Sequence, residues 1–195
     1  MEPYPKEKFP KSVHVYAGMS HLGLTKLIYV NGHVNSKTYV ECILPKFTID
    51  IQNRKKTIGK VDEIKLFHDN NSFIFEQDHA SSHDSKLAQD WCSNNLKSFL
   101  NKNETPSKMD DYWPIERLWG ILVSKVYKEP RPATIQLLKR RLNKCWSEIS
   151  QHTLTKLVHQ MPLRLRWICE NQGKKIIDFN GHCKCVRCVE NCVSE

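Results

Sequence analysis

The sequence has no apolar run approaching the roughly 18 residues of a membrane span. Its first residues, Met1-Glu2-Pro3-Tyr4-Pro5-Lys6-Glu7-Lys8, carry acids and prolines where a secretory leader needs an apolar stretch. These two absences make an intracellular chain with no membrane partner the expectation. Internal repeats and low-complexity tracts are missing too, up to the Cys-rich end. Acids are scarce in one region. Residues 121–175 hold 12 Lys and Arg against 3 Asp and Glu, so this stretch alone accounts for the chain's net charge of +9. A focused basic region is the electrostatic footprint of a polyanion, with DNA the first expectation; a solvated helix face is the alternative.

What is present fits one domain. The chain has 195 residues, 39% hydrophobic and 26% charged. That is enough to bury a core without disulfides and too apolar for a wholly disordered chain. Cys42, Cys92, Cys145 and Cys169 sit singly in apolar or amphipathic stretches and read as reduced, buried small hydrophobes. Cys183, Cys185, Cys188 and Cys192 crowd the end beside His182. Four thiolates could close a tetrahedral Zn²⁺ site, although structural zinc sites usually use two pairs separated by a longer loop. A tail of exposed thiols is the favoured reading.

Patterning divides the chain into a Pro- and Lys-rich lead (1–11), one domain (12–175) and the Cys-rich tail (176–195). Val13–Met19 alternates, and Thr25–Val30 follows a turn at Gly23, so the two predict a β-hairpin. Val34, Tyr39, Ile43, Leu44 and Phe47 have helical spacing, with Asn35 or Ser36 as the cap. Residues 72–78 predict a short apolar strand ending in Asp78. Helices are predicted over 84–100, from Pro114 to about Tyr127, and over 132–148 and 153–172. Strands mixed with helices first, and helices last, argue for a mixed sheet flanked by helices, an α/β or α+β layered domain.

Two acids stand where such folds place chemistry. Asp78 ends a strand and Glu116 opens an amphipathic helix. Both could be metal ligands, because Mg²⁺ takes one or two carboxylates plus substrate phosphates, and a two-metal arrangement serves phosphodiester chemistry. The structural alternative is an Asx-turn at Asp78 and a favourable helix-dipole contact at Glu116. Lys139, Arg140, Arg141, Arg164 and Arg166 are the candidate phosphate contacts; the triplet 139–141 equally resembles a nuclear-entry signal. Trp91, Trp119, Trp146 and Trp167 read as core, and Trp113 as the one tryptophan placed to meet a partner.

Four segments, in order, resemble mariner/Tc-type transposases. Phe75-Glu76-Gln77-Asp78, with His83 following, is similar to the family's strand-end motif. Asp111-Tyr112-Trp113-Pro114-Ile115-Glu116, with Trp119, is similar to its Asp-x-Asn-Pro-Ile-Glu-x-x-Trp segment. Residues 13–23 resemble its paired strands, and 161–165 with 170–173 its closing helix. The resemblance implies an RNase H-like DDE catalytic domain using Mg²⁺ or Mn²⁺ for DNA cleavage and strand transfer. It also implies Asp78 and Glu116 as catalytic metal ligands, His83 as a helix-start residue near the site, DNA as partner, and a nuclear location.

The chain departs from that pattern in three ways. The family's first acid belongs on a strand upstream of Val13, and only twelve residues precede Val13. Glu2 and Glu7 have no strand to hold them, and Asp50, Asp62, Glu63 and Asp69 fall downstream. The family's N-terminal helix-turn-helix region has no match. Trp113 replaces the familiar Asn, and 37 residues separate Asp78 from Glu116, a few more than the commonest spacing. The expectation is a partial domain lacking the first strand, impaired in catalysis by itself and with homodimerisation open. A non-enzymatic DNA-binding derivative and a small zinc-stabilised regulatory module are the other readings.

Overall fold

The computed structural model describes residues 12–50, 73–105, 112–128 and 130–174. The expected hairpin forms, with an irregularity that the pattern did not reveal. Strand β1 (His14–Tyr16) pairs antiparallel with β4 (Ile28–Val30), and β2 (Met19–Ser20) pairs with β3 (Gly23–Leu24). Tyr16 faces Ile28 and Met19 faces Leu24. Ala17 and Gly18 therefore oppose Thr25, Lys26 and Leu27, a bulge of one extra residue. Thr25 fastens it. Its N–H donates to the Gly18 carbonyl at 2.9 Å, and its Oγ1 accepts the Gly18 N–H at 2.7 Å. A Cβ on Gly18 would lie 3.2 Å from Thr25 Cγ2, so the close approach favours glycine there. The turn itself is His21-Leu22, with Gly23 already paired to Ser20.

The bulge has a packing consequence. Residues four apart in a regular strand share a face. Here the extra residue changes the parity, and Leu24 and Ile28 enter different clusters. Leu24 joins Leu118, Leu122, Val126, Cys145, Trp146, Leu154 and Leu157. Ile28 joins Tyr39, Val40, Ile43, Leu44, Phe47, Ala88 and Cys92. The hairpin thus serves two helical layers, one from the first half of the chain and one from the second.

The first layer begins at α1 (Ser36–Thr38), where the Asn35 Oδ1 accepts the Thr38 N–H at 2.9 Å. The helix continues through a π-helical turn, Tyr39–Ile43, in which the Leu44 N–H reaches the Tyr39 carbonyl, and stays helical over 44–50. α2 (Lys86–Asn95), capped by Ser85, buries Ala88 and Cys92 against it. The second layer is α3 (Pro114–Val126), α4 (Ile135–Ser147) and α5 (Gln151–His159), followed by α6 (Met161–Glu170). α3 starts with proline near its N-terminus and buries Leu118, Leu122 and Val126, one stripe at i, i+4, i+8. Each such side chain contributes about 1.5–3 kcal/mol by leaving water. Trp146 stacks on Trp119 at 5.4 Å and donates its indole N–H to the Thr25 carbonyl at 2.8 Å, which docks α4 onto the bulge.

Several expectations need correction. The helix expected over 84–100 ends at Asn95, where Leu96 turns extended and leads to the Phe99 bridge. Cys42 and Cys169 are exposed, not buried. The helix expected over 153–172 is two helices broken at Gln160, because Pro162 lacks the N–H that would continue the ladder and instead suits a first turn. The strand expected over 72–78 is, among the described residues, one parallel bridge, Phe75 to Phe99. The Phe75 N–H donates to Ser98 O at 3.0 Å, and the Leu100 N–H to Phe75 O at 2.9 Å. Beyond Phe75, the side chains of Gln77 and Asp78 bond to Tyr39 and His83.

Candidate metal and nucleic-acid site

Asp78 follows the bridged segment and opens a tight turn leading into α2. Its Oδ1 accepts the Ala80 N–H at 3.1 Å, an Asx-turn, and meets His83 Nδ1 at 2.5 Å. The His83 hydrogen bond, helped by its charge and by Ala80, holds the Asp78 carboxyl below the ordinary carboxylate range; partial burial opposes it. The Asp78 side chain remains 51% exposed while that of His83 is 11% exposed. An ionised carboxylate, half open to solvent, is a hard-oxygen donor of the kind Mg²⁺ and Mn²⁺ take.

Beneath this carboxylate lies an aromatic floor. The ring of Tyr39 sits 4.2 Å from that of His83, and Tyr16 lies 6.2 Å from Tyr39 and 6.5 Å from His83, centre to centre. Tyr39 Oη donates to Gln77 Oε1 at 2.7 Å. Gln77 and Gln89 both donate to the His83 carbonyl, at 3.3 and 3.0 Å. Burial, then the Asp78 charge, keeps the Tyr16 phenol protonated beyond its usual range. His79 forms a second fastening. Its Nδ1 meets the Asp84 carboxylate at 2.9 Å, and its Nε2 the Thr105 carbonyl at 2.9 Å. Two acceptors facing two ring nitrogens favour the imidazolium, and the His79 pKa rises, chiefly through Asp84.

Glu116 is exposed on the first turn of α3, where a carboxylate also favours the helix dipole. Burial, then the Glu76 charge, raises the Tyr112 phenol. Arg117 donates to Gln160 Oε1, linking the start of α3 to the α5–α6 break. Among the described residues no group of three or more His, Cys, Asp or Glu stands ready to hold a metal ion. The half-exposed Asp78 carboxylate has the chemistry of a hard-cation ligand, and Glu116 offers an exposed carboxylate on a helix start. Asp50, one of the downstream acids, accepts the Lys26 N–H at 2.7 Å.

The five predicted basic contacts separate into two groups. Arg140 and Arg166 are exposed. Lys139 lies over the Tyr29 ring at 5.1 Å. Arg141 donates to the carbonyls of Val126 and Pro130, at 3.0 and 2.8 Å, and so caps the C-terminal end of α3. Arg164 is 6% exposed. Trp113 also turns inward, 7% exposed beside Tyr112, which corrects its reading as a partner contact. Cys183, Cys185, Cys188 and Cys192 lie outside the described residues, as do Asp62, Glu63 and Asp69. Sequence reasoning missed Tyr39, Gln77 and His79. Only the Gln-Asp pairing at 77–78 carried a signal; Tyr39 is 38 residues away from its partner Gln77.

No protein-family model matches the chain. A curated relative does: the transposable element Tc3 transposase of Caenorhabditis elegans is 37% identical over 105 residues, 53% of this chain and 31% of that protein. Over that stretch the chain is similar to a transposase of the Tc type. It therefore aligns with about a third of the length of that relative. Solved structures agree on the fold. The Mos1 transposase catalytic domain with raltegravir and Mg superposes with a TM-score of 0.66 at 15% identity, covering 84% of this chain and 77% of that one. A pre-cleavage Mos1 transpososome gives 0.72 at 15% identity, covering 90% and 48%. The Mos1 paired end complex with Mn gives 0.70 at 16%, covering 89% and 48%. Across most of its length the chain thus shares the RNase H-like fold of the Mos1 catalytic domain.

Proposed function

We propose that this chain is a DNA-binding, divalent-metal-dependent domain of the mariner/Tc type, in which Asp78 and Glu116 hold Mg²⁺ or Mn²⁺ against a DNA phosphate. The observation that carries the reading is the state of Asp78. One oxygen is fixed by His83 and Ala80, the carboxyl is held ionised, and half of it faces solvent. It stands in the motif that resembles the family's second acid. When bound, the cation would polarise a phosphodiester oxygen and activate a nucleophile. The protein's part is to keep Asp78 ionised and oriented and to place Glu116 on a helix start. Exposed Arg140 and Arg166, with Lys139, neutralise DNA backbone charge. Arg141 and Arg164 serve the fold. A nuclear location follows from the DNA partner.

Two carboxylates make a weaker site than three, so the chain alone is expected to bind DNA and metal while cutting poorly. The test is gel retardation of duplex DNA carrying a recessed 3′-hydroxyl end, with and without Mn²⁺, beside a nicking assay. Expected are salt-sensitive binding, tightened by Mn²⁺ in the parent and not in Asp78→Asn or Glu116→Gln, and little nicking. No DNA affinity at moderate salt would sink the proposal. Binding that ignores Mn²⁺ would favour the non-enzymatic DNA-binding reading. Robust nicking abolished by Asp78→Asn would show a complete catalytic set within the chain.

A further inference from the structure

His83 makes its hydrogen bond on one side only. Nδ1 meets Asp78 Oδ1 at 2.5 Å, whereas Nε2 is buried with no hydrogen-bond partner among the described residues. The residue is 9% exposed. A buried polar atom left unsatisfied costs free energy, and natural structures keep such atoms for a reason. Here the ring is oriented with its first nitrogen on Asp78. Tyr39 supplies the hold. Its ring covers the imidazole at 4.2 Å, and its hydroxyl fixes Gln77, which in turn donates to the His83 carbonyl. Tyr39 opens the π-helical turn, an extra-residue distortion of the kind that recurs at functional sites.

Asp78 Oδ1 thus accepts two hydrogen bonds, from Ala80 and His83, while Oδ2 has no protein hydrogen bond among the described residues. We propose that His83, braced by Tyr39 and Gln77, is a positioning residue that commits Oδ1 of Asp78 to the protein and leaves Oδ2 as the single oxygen offered to a divalent cation. The proposal rests on Asp78 being a metal ligand. It adds that the ligand is one-oxygen by construction, and that the device reaches back 44 residues in sequence to Tyr39. Groups that support a ligand's orientation typically govern about 10–100-fold in metal affinity.

The experiment is Mn²⁺ binding to the whole chain, read by the electron paramagnetic resonance signal of unbound Mn²⁺. His83→Leu fills the pocket and removes the donor; its dissociation constant should rise about 10–100-fold. His83→Asn places an N–H near the position of Nδ1 and should restore most of the affinity. Tyr39→Phe keeps the ring and removes only the hydroxyl, and should fall between the two. Parent affinity in His83→Leu would overturn the proposal. So would equal loss in His83→Asn and His83→Leu, which would mean that His83 only fills space. A second readout needs no metal. In ¹⁵N-labelled chain the His83 Nδ1–H proton should resonate far downfield and move upfield in Asp78→Asn; its absence in the parent would overturn the contact. A chain whose Mn²⁺ binding is nil, or is untouched by Asp78→Asn, removes the metal reading and the cation half of this proposal. The ring proton still decides whether His83 orients Asp78.

Discussion

The basic helix α4 is oriented by one buried hydrogen bond that can be removed almost without changing shape. Trp146 is 6% exposed, stacks on Trp119, and donates to a carbonyl 121 residues earlier, that of Thr25 in the bulge. Trp146→Phe keeps an aromatic ring in the stack but leaves the Thr25 carbonyl without this donor, at a cost of about 1–3 kcal/mol. Trp146→Ala removes the ring as well and costs about 3–5 kcal/mol. In a domain of this size each kcal/mol lowers Tm by about 2–4 °C. Trp146→Phe should therefore lower Tm by about 2–12 °C, and Trp146→Ala by about 6–20 °C. Thermal and urea unfolding followed by circular dichroism at matched protein concentration measure both. Trp146→Phe with the parent's Tm and urea midpoint would refute the bulge as the docking point of α4. Equal losses in the two variants would refute the separation of hydrogen bond from packing.

Other expectations follow from the same contacts. The His79 pKa is raised above its ordinary value by Asp84, so its contribution is full below the unfolded value of about 6.5 and fades as pH rises through the folded value. The parent should lose more Tm than His79→Gln between about pH 5.5 and about pH 8.5; parallel profiles would contradict the latch. For Asp78, held low chiefly by His83, the sign reverses: its contribution is present above the unfolded value and lost as pH falls through the folded one. Arg140→Gln and Arg166→Gln should each lower the slope of log affinity for DNA against log salt by about 0.9. The Arg141→Gln change should instead lower Tm, because that guanidinium caps α3.

The parts of this molecule that were legible in the sequence are those set by local chemistry. Asn35 caps a helix and Pro114 starts one, both as expected. The residues that touch at long range were not legible. Nothing in the alternation of residues 13–30 signals an extra residue at Thr25, yet that residue sends Leu24 and Ile28 to separate cores. Regular helical spacing over 34–47 gave no sign of a π turn at Tyr39. The basic residues show the limit most plainly. Composition treats Arg140, Arg141, Arg164 and Arg166 alike, but Arg141 is spent on backbone carbonyls and Arg164 is buried. Asp78 and His83 were visible as a motif; their 2.5 Å contact and the direction in which it turns the carboxylate required coordinates.

The proposed site has one cation shared by Asp78 and Glu116. Iron(II) substitutes for Mg²⁺ or Mn²⁺ at hard-oxygen sites and, with ascorbate and peroxide, generates radicals that cut the backbone beside the bound ion. Cleavage of the whole chain should give fragments ending near both 78 and 116, suppressed by excess Mn²⁺ and lost together in Asp78→Asn. Cuts near only one of the two, or cuts unchanged by Asp78→Asn, would contradict a shared cation.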